Sequence, residues 1–238
     1  MRGKLERQHL AYTLDNVYIV VPLYNEELVL TEVILELKKS FANILVVDDG
    51  SNDASNQLLQ SLDVTLITHA INLGQGAAIK TAFDYMCTIK NVFAVVTFDA
   101  DGQHSAMDAI KFANEIIRCK EDVIFGTRFV DNDNGVPVLK RIILKFATLA
   151  TNFLTGLKLT DTHNGLKALK ISAIKELNLD ISGYAFESQL AIQVAKQKIS
   201  YKEMPTDISY TEYSMAKGQS IRNSLLIVED LLNLGRSK

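Results

Sequence analysis

Short apolar runs alternate with amphipathic stretches through the first 130 residues of the chain. Strands are predicted at residues 17–23, 44–47, 64–68, 92–98 and 123–126, where the sequence is almost wholly apolar. Helices are predicted between them at 28–40, 54–61, 75–89 and 106–118, where apolar residues recur at helical spacing. Continuous apolar strands separated by helices are typical of a mostly parallel sheet that helices cover on both faces. The pattern therefore predicts an α/β fold.

The pattern beyond residue 130 is less regular. Helices are predicted at 139–155, 184–198 and 220–234, and one or two strands at 159–169. An extended segment is predicted at 199–210, interrupted by Pro205, with a polar loop at 131–137 and a mobile loop at 211–219. No repeat or linker divides the chain. We therefore expect one domain at 17–238, preceded by an N-terminal extension at 1–16.

Composition restricts the class of partner and the compartment. The chain has 238 residues and a formal net charge of −3, so no basic surface argues for nucleic acid. Neither a signal peptide nor an apolar run of about 20 residues occurs, which predicts a soluble protein or one held at a membrane surface. Cys87 and Cys119 are expected to be buried free thiols, which fit a reducing cytoplasm.

Carboxylates and glycines follow each of the first four predicted strands. The four loops read PLYNE at 22–26, DDGSND at 48–53, NLGQGA at 72–77 and DADGQH at 99–104. Any one of them is compatible with a turn or a helix cap. The carboxyl ends of parallel strands meet at one edge of a sheet, where ligands bind. Four such loops in succession therefore indicate a site.

Asp99 and Asp101 are the sharpest feature of these loops. They directly follow the apolar strand VFAVVTF, and two carboxylates at this spacing can face one hard cation. Oxygen ligands favour Mg²⁺ or Mn²⁺ over zinc, and Gln103 and His104 can complete the site. Such an ion would bridge the phosphates of a nucleoside diphosphate and neutralise charge as that group leaves. An Asp-x-Asp alone is more often a solvated turn, but its place at a strand end favours the metal site.

Gly74 and Gly76 open a predicted helix, where backbone N–H groups can bind phosphate. This signal is weak by itself, and the chain has neither a Gly-x-Gly-x-x-Gly nor a Walker A sequence. Their absence argues against dehydrogenases and against ordinary kinases or NTPases.

Together these loops resemble the inverting family-2 glycosyltransferases with the GT-A fold, most closely the dolichol-phosphate mannose synthase-like branch. Further matching segments are GTR at 126–128, DTHNG at 161–165 and KGQS at 217–220. The resemblance spans about residues 17–220. It implies a single Rossmann-like GT-A domain and a metal-dependent hexosyl transfer from a UDP- or GDP-linked sugar, in cell-surface glycan synthesis.

The resemblance also implies roles for individual residues. The donor nucleotide would be held by Pro22, Tyr24, Glu26, Asp49, Gly76 and Asp99. The metal, Mg²⁺ or Mn²⁺, would be bound by Asp99, Asp101 and Gln103. Arg128 and Arg141 match positions that face phosphate, and Lys217 would lie on a loop that closes over the donor.

The acceptor remains open at this point. Members of the resembled branch usually carry several arginines in a basic loop that precedes their Gly-x-Ser segment. In this chain the corresponding residues 210–217 read YTEYSMAK and contain one lysine. A lipid phosphate acceptor needs no general base, whereas a sugar hydroxyl acceptor does. General base catalysis typically raises the rate by about 10²–10⁴. The candidate catalytic residues are Asp161, Glu187 and the metal ligand Asp101. Asp161 and Glu187 are the candidate bases, and His163 is a weaker candidate. Asp161 is equally compatible with a turn, and Glu187 with stabilisation of a first helical turn.

Two rival functions have different sequence signatures. A nucleotidyltransferase would carry a glycine-rich basic loop after the first strand, where this chain has PLYNE. A non-catalytic relative that binds sugar or nucleotide in a polysaccharide assembly complex is the main alternative.

The predicted helix at 220–234 would pack on the domain, on a second subunit of a homodimer, or on a membrane surface. We expect a cytoplasmic protein, free or at the inner face of the cell membrane.

Overall fold

A seven-stranded sheet forms the centre of the described part of the protein, with helices against both faces, as predicted. The computed structural model describes residues 12–129, 138–179 and 186–209. The strands are β1 Val17–Leu23, β2 Ile44–Asp48, β3 Thr65–Thr68, β4 Ala94–Thr97, β5 Val123–Thr127, β6 Lys167–Lys170 and β7 Tyr201–Pro205. The helices are α1 Leu30–Lys38, α2 Ser55–Leu59, α3 Gln75–Thr88, α4 Ala106–Arg118, α5 Val138–Thr155, α6 Ile171–Ile174 and α7 Phe186–Lys196, after a 3-10 turn at Leu14–Asn16.

The strand order of the sheet reverses between β1 and β4. Its strand order is β3-β2-β1-β4-β6-β5-β7, so the chain adds two strands on one side of β1 and then crosses to the other. All neighbouring pairs are parallel except those that β6 makes with β4 and β5. A crevice opens outside the carboxyl ends of the strands at such a switch point. The loops after β1 and β4 flank that crevice.

Strand β6 is a short antiparallel insertion. One or two strands were expected at 159–169, but only Lys167–Lys170 forms a strand, paired with Thr97 through Ala94 of β4. Because β6 runs opposite to its neighbours, the loop that precedes it lies at the edge where β4 and β5 end. This reversal brings residues 160–166 to the same edge as the metal candidates.

Two apolar layers hold the helices on the sheet. Ile19 and Val21 of β1 face a layer formed with α1 and α4, whereas Val20 faces a layer formed with α3 and α7. This alternation follows from the two-residue period of a strand, and burial on both faces explains why the strand is apolar throughout. Pro22 lies beyond the last residue of β1 that pairs with β4, so its missing N–H breaks no ladder there.

Several predicted features lie outside the described residues. These are the first part of the N-terminal extension, the loop at 131–137, the loop at 211–219 with Lys217, and the helix at 220–234. Within the part of the chain that is described, no helix is both long and apolar enough to cross a membrane.

Candidate active site

Hydrogen bonds join the loops after β1 and β2 into one wall of the crevice. The backbone N–H of Asn25 donates to Ser51 Oγ at 2.9 Å, and that of Glu26 donates to Ser55 Oγ at 3.0 Å. Asn25 Oδ1 in turn accepts from the backbone N–H of Asn52 at 2.8 Å. These bonds fix the backbone on either side of Tyr24, whose side chain is exposed. The serines and asparagines of the two loops therefore hold Tyr24 and Glu26 at the crevice.

Asp49 organises the loop that follows β3. Its carboxylate is buried and accepts hydrogen bonds from His69 Nδ1 at 2.7 Å, from Leu73 N at 2.9 Å and from Gly74 N at 2.7 Å. The carboxylate thus has three donors from the protein itself. Asp49 therefore positions the start of α3, where Gly76 is buried in the first turn.

Asp99 lies between this wall and β6. Its Oδ1 accepts a hydrogen bond from Gln75 Nε2 at 2.9 Å, and its Oδ2 lies 3.7 Å from His104 Nε2. Burial opposes ionisation, but His104, Lys167 and Arg128 outweigh it and hold the pKa of Asp99 below its ordinary value. Asp99 is therefore an anion at neutral pH. Gln75, to which the sequence assigned no role, connects it to the start of α3.

Asp101 has the opposite electrostatic environment. Burial and the negative charges of Asp99 and Glu26 raise the pKa of Asp101 to about 6, against the hydrogen bond from Gln103 N at 3.0 Å. Two carboxylates and an amide oxygen are hard ligands, and a divalent cation would relieve the repulsion between Asp99 and Asp101. The residues present therefore fit Mg²⁺ or Mn²⁺. No three His, Cys, Asp or Glu side chains of the described chain form a metal cluster by themselves.

Arg128 and Asp161 form a buried ion pair at the end of β5. Arg128 Nε donates to Asp161 Oδ2 at 2.6 Å, and Arg128 Nη2 donates to the carbonyl of His163 at 2.6 Å. Asp161 also accepts from His163 N at 3.1 Å and is buried almost completely. Asp161, a candidate base, therefore contacts the arginine that was expected to face phosphate. In this geometry it orients Arg128.

Glu187 is also paired. Its carboxylate contacts the ammonium group of Lys167, which donates to the carbonyl of Asn164 as well. Burial raises the pKa of Glu187, although Lys167 opposes the shift. The side chain of Lys167 is 2% exposed and points inward from β6 beside Thr97. Sequence analysis missed Lys167, because a lysine in the sequence LKALK is typical of a solvated strand.

His163 is held neutral between these two pairs. Burial, with Lys167 and Arg128, lowers the pKa of His163 to about 4 against the opposing charge of Asp161. Its Nε2 lies 3.4 Å from Ser188 Oγ at the start of α7. A base with this pKa would be weak at neutral pH.

The crevice therefore collects most of the residues singled out from the sequence. The loops after β1, β2 and β3 form one wall, and Asp99, Asp101 and Gln103 follow β4. Arg128, Asp161 and Glu187 lie across from them with Lys167. Arg141 is half-buried on α5, and Lys217 lies outside the described residues.

Comparison with known proteins identifies the family of this arrangement. The model of the family "Glycosyl transferase family 2" matches residues 18–177, which span β1 to the end of α6. The matched region contains every candidate metal ligand and the Arg128–Asp161 pair.

Curated relatives are similar over nearly the full chain. The UDP-N-acetylglucosamine–dolichyl-phosphate N-acetylglucosaminyltransferase of Methanococcus voltae is 31% identical, over 93% of this chain and 97% of the relative. The polyprenol monophosphomannose synthase of Mycolicibacterium smegmatis is 26% identical, over 89% and 85%.

Solved structures share the fold. The glucosyl-3-phosphoglycerate synthase of Mycobacterium tuberculosis, crystallised with Mn²⁺, uridine diphosphate and phosphoglyceric acid, superposes with a TM-score of 0.71. The two are 15% identical, and the match covers 98% of this chain and 82% of the other. The predicted GT-A architecture is therefore confirmed.

Proposed function

The chain belongs to glycosyl transferase family 2, and we propose that it transfers a sugar from a nucleoside diphosphate donor to the phosphate of a polyprenyl phosphate. The names of its relatives support both parts of this proposal: one uses UDP-N-acetylglucosamine with dolichyl phosphate, and another makes polyprenol monophosphomannose. A relative in Micrococcus luteus is an undecaprenyl-phosphate mannosyltransferase.

The donor nucleotide would lie along the wall formed by the loops after β1, β2 and β3. Tyr24 is exposed at this wall and offers a ring for the base, while Pro22 and Glu26 border it. Asp49 contributes by positioning the start of α3, since its oxygens already accept three hydrogen bonds. The diphosphate would then lie near Gly76 and Asp99, which Gln75 holds together.

A divalent ion, Mg²⁺ or Mn²⁺, would be held by Asp99, Asp101 and Gln103. When bound, it neutralises the negative charge that develops on the departing nucleoside diphosphate. Proteins usually bind such ions through one or two carboxylates, and phosphates of the substrate supply further ligands. The low pKa of Asp99 keeps one carboxylate charged for this purpose, and the cation would ionise the second.

The choice of a phosphate acceptor rests on one observation: both candidate bases are paired with cations. Asp161 contacts Arg128, and Glu187 contacts Lys167. A hydroxyl acceptor must lose a proton to a base, whereas a phosphate oxygen is already anionic. The acceptor oxygen would attack the anomeric carbon as the bond to the diphosphate breaks, with inversion. Arg128, oriented by Asp161, would hold the acceptor phosphate.

Donor binding tests the first half of this proposal. The melting temperature is measured with UDP, GDP, CMP and dTDP, each with and without Mn²⁺. A nucleotide at 100 times its dissociation constant stabilises the fold by about 2.7 kcal/mol. We expect a Mn²⁺-dependent shift with one diphosphate, and its loss in Asp101→Ala. No shift with any nucleotide contradicts the donor site and favours a non-catalytic relative.

A hydroxyl acceptor is the second candidate, because the raised pKa of Glu187 suits a general base. Glu187→Gln separates the two acceptors. Loss of a required base lowers the transfer rate by about 10²–10⁴ and removes the acidic limb of the pH profile. With a phosphate acceptor we expect a smaller loss and an unchanged limb.

A further inference from the structure

Glu203 of β7 reaches the loop that carries Asp161. One oxygen of its carboxylate, Oε1, accepts hydrogen bonds from Thr160 N at 2.7 Å, from Thr160 Oγ1 at 3.1 Å and from Asp161 N at 3.3 Å. The surrounding sequence, YKEMP, is typical of an edge strand with charged, solvated side chains. In the structure this carboxylate instead connects the outermost strand to the candidate active site.

Two hydroxyl groups extend this connection to the backbone on both sides of Arg128. Thr160 Oγ1 lies 2.7 Å from Thr127 Oγ1, which accepts a hydrogen bond from Phe129 N at 3.2 Å. An ionised carboxylate only accepts, so Thr160 donates its hydroxyl hydrogen to Glu203 and accepts the one from Thr127. The hydrogen bonds therefore run in one direction, from Phe129 N through both hydroxyls to the carboxylate.

Arg128 lies just beyond the ladder that β5 makes with β7. The last pair of that ladder is Thr127 with Pro205, so strand pairing does not fix the backbone of Arg128. Its N–H donates instead to Asp161 Oδ2, at 3.3 Å. The orientation of Arg128 therefore depends on how firmly Asp161 and Thr127 are held.

The charge of Glu203 strengthens its hold on the loop. Burial raises the pKa of Glu203 above its ordinary value, against the hydrogen bonds from the backbone of Thr160 and Asp161 and from the Thr160 hydroxyl. Hydrogen bonds to an ionised acceptor are stronger than those between neutral groups. The carboxylate therefore fixes residues 160 and 161 more firmly than a neutral side chain of the same shape would.

We propose that Glu203 is a positioning residue for Arg128. Its carboxylate fixes the backbone of Asp161 directly, and it fixes both neighbours of Arg128 through the two hydroxyls. This inference rests on the proposed function, in which Arg128 holds the phosphate of the acceptor. A guanidinium group binds phosphate through two parallel hydrogen bonds, which requires a fixed orientation of its plane.

The Nε–H resonance of Arg128 in nuclear magnetic resonance tests this positioning without any acceptor, and Arg128→Lys assigns it. In wild type the hydrogen bond to Asp161, at 2.6 Å, should slow exchange of this proton with water at least about tenfold relative to an exposed arginine. Glu203→Gln keeps the shape of the side chain but removes its charge, so exchange should accelerate at least about fivefold. Unchanged exchange in this variant overturns the proposal.

Thr160→Val and Thr160→Ser test the hydroxyl connection. Thr160 is exposed, so neither substitution is expected to prevent folding. Valine keeps the shape of threonine without its hydroxyl, and exchange of the Arg128 Nε–H should accelerate at least about threefold, whereas serine should keep the wild-type rate. A role in packing alone gives the reverse ranking, because serine lacks the methyl group, and that result contradicts the proposal.

Lys202→Met is the matched control on the same strand. Lys202 precedes Glu203 but lies on the other face of β7, where it pairs with Glu115 of α4. This variant removes an ion pair from β7 without touching the loop, so exchange of the Arg128 Nε–H should change less than about twofold. Equal acceleration in Lys202→Met and Glu203→Gln would show a general loosening of β7 and rule out a specific role for Glu203.

Transfer assays separate failure of this positioning from failure of the proposed function. With a short-chain polyprenyl phosphate, Glu203→Gln should raise the KM for the acceptor at least about fivefold and leave the affinities for Mn²⁺ and donor nucleotide within about twofold of wild type. An unchanged acceptor KM contradicts the proposal. Faster exchange of the Arg128 Nε–H in Glu203→Gln, together with no transfer by wild type to any acceptor, upholds the positioning and contradicts the proposed function.

Discussion

Gly165 lies directly against the carboxylate of Asp99, and a Cβ atom on residue 165 would lie 1.8 Å from Asp99 Oδ2. Only glycine leaves room for this carboxylate. In Gly165→Ala we expect Asp99 to move, because the added carbon meets its oxygens and Gln75 holds it from the other side. Mn²⁺ affinity, measured by calorimetric titration, should fall at least about tenfold, as expected when a metal ligand loses its orientation.

Gly156→Ala is the control for this variant. Gly156 has a φ of +74°, and a Cβ there meets nothing within 4 Å. The substitution should destabilise the fold by about 1 kcal/mol through its left-handed backbone and leave Mn²⁺ affinity unchanged. Equal loss of Mn²⁺ affinity in both variants contradicts a specific contact between Gly165 and Asp99.

Removal of Lys167 should destabilise the protein strongly. Lys167→Met leaves Glu187 buried without its cation, which costs about 3–5 kcal/mol in unfolding free energy. Lys167→Met/Glu187→Leu removes both charges and should recover most of that loss. Urea denaturation gives the free energy of unfolding of the single and the double variant. Lys80→Met breaks an exposed pair with Asp84 and should cost less than about 1 kcal/mol, so similar costs for the two lysines would count against the buried pair.

Metal binding should depend on the ionisation of Asp101. Because the pKa of Asp101 is raised to about 6, a cation must displace a proton below that pH. Mn²⁺ affinity should fall about tenfold for each pH unit below 6 and level off above it. Calorimetric titration between pH 5 and 8 measures this, and a flat profile would contradict the raised pKa.

The carboxyl group of Asp101 also affects the stability of the metal-free protein. Its folded pKa lies above its ordinary value of 3.8, so its contribution to stability is greatest below pH 3.8 and is lost as the pH rises through 6. Asp101→Asn should therefore raise the melting temperature at pH 7.5 and change it little at pH 4. A lower melting temperature at pH 7.5 would refute the sign of the shift.

Asp161 is expected to act through Arg128. Asp161→Asn weakens a hydrogen bond between charged groups, which is worth about 1.5–3 kcal/mol, so transfer should slow about tenfold to hundredfold. The pH–rate profile should keep its shape. If Asp161 only orients Arg128, the double variant Asp161→Asn/Arg128→Ala is no slower than Arg128→Ala alone. Additive losses would support a separate role as a base.

The apolar pattern predicted the first half of the fold closely, because each buried strand and amphipathic helix there has its own local signal. The helix expected at 75–89 is observed at Gln75–Thr88, beginning directly after Gly74, whose φ of +96° suits glycine. Pro205 is the last residue of β7, which lies at the edge of the sheet. Its missing N–H interrupts no pairing with β5, because the backbone N–H of Thr206 still donates to the carbonyl of Thr127 at 2.9 Å. The antiparallel placement of β6 between β4 and β5 was not predicted, since strand order depends on contacts distant in sequence.

The sequence singled out residues that the fold brings to one crevice, but it did not predict the ion pairs among them. Asp161 and Glu187 stood out as carboxylates beside a crevice, and both were interpreted as candidate bases. Their partners, Arg128 and Lys167, lie 33 and 20 residues away in sequence, and only the reversal of β6 brings them together. Lys167 carries no sequence signal of burial, because its environment is supplied by α7.

Transfer to a defined acceptor tests the central claim most directly. Nucleotide sugars are supplied with Mn²⁺ to a short-chain polyprenyl phosphate or to the corresponding polyprenol, and products are identified by mass spectrometry. We predict a glycosylated product from the phosphate with one donor, none from the polyprenol, and none from the phosphate with Asp101→Ala. Comparable transfer to the polyprenol, or transfer that survives in Asp101→Ala, would contradict a metal-dependent enzyme that uses an anionic acceptor.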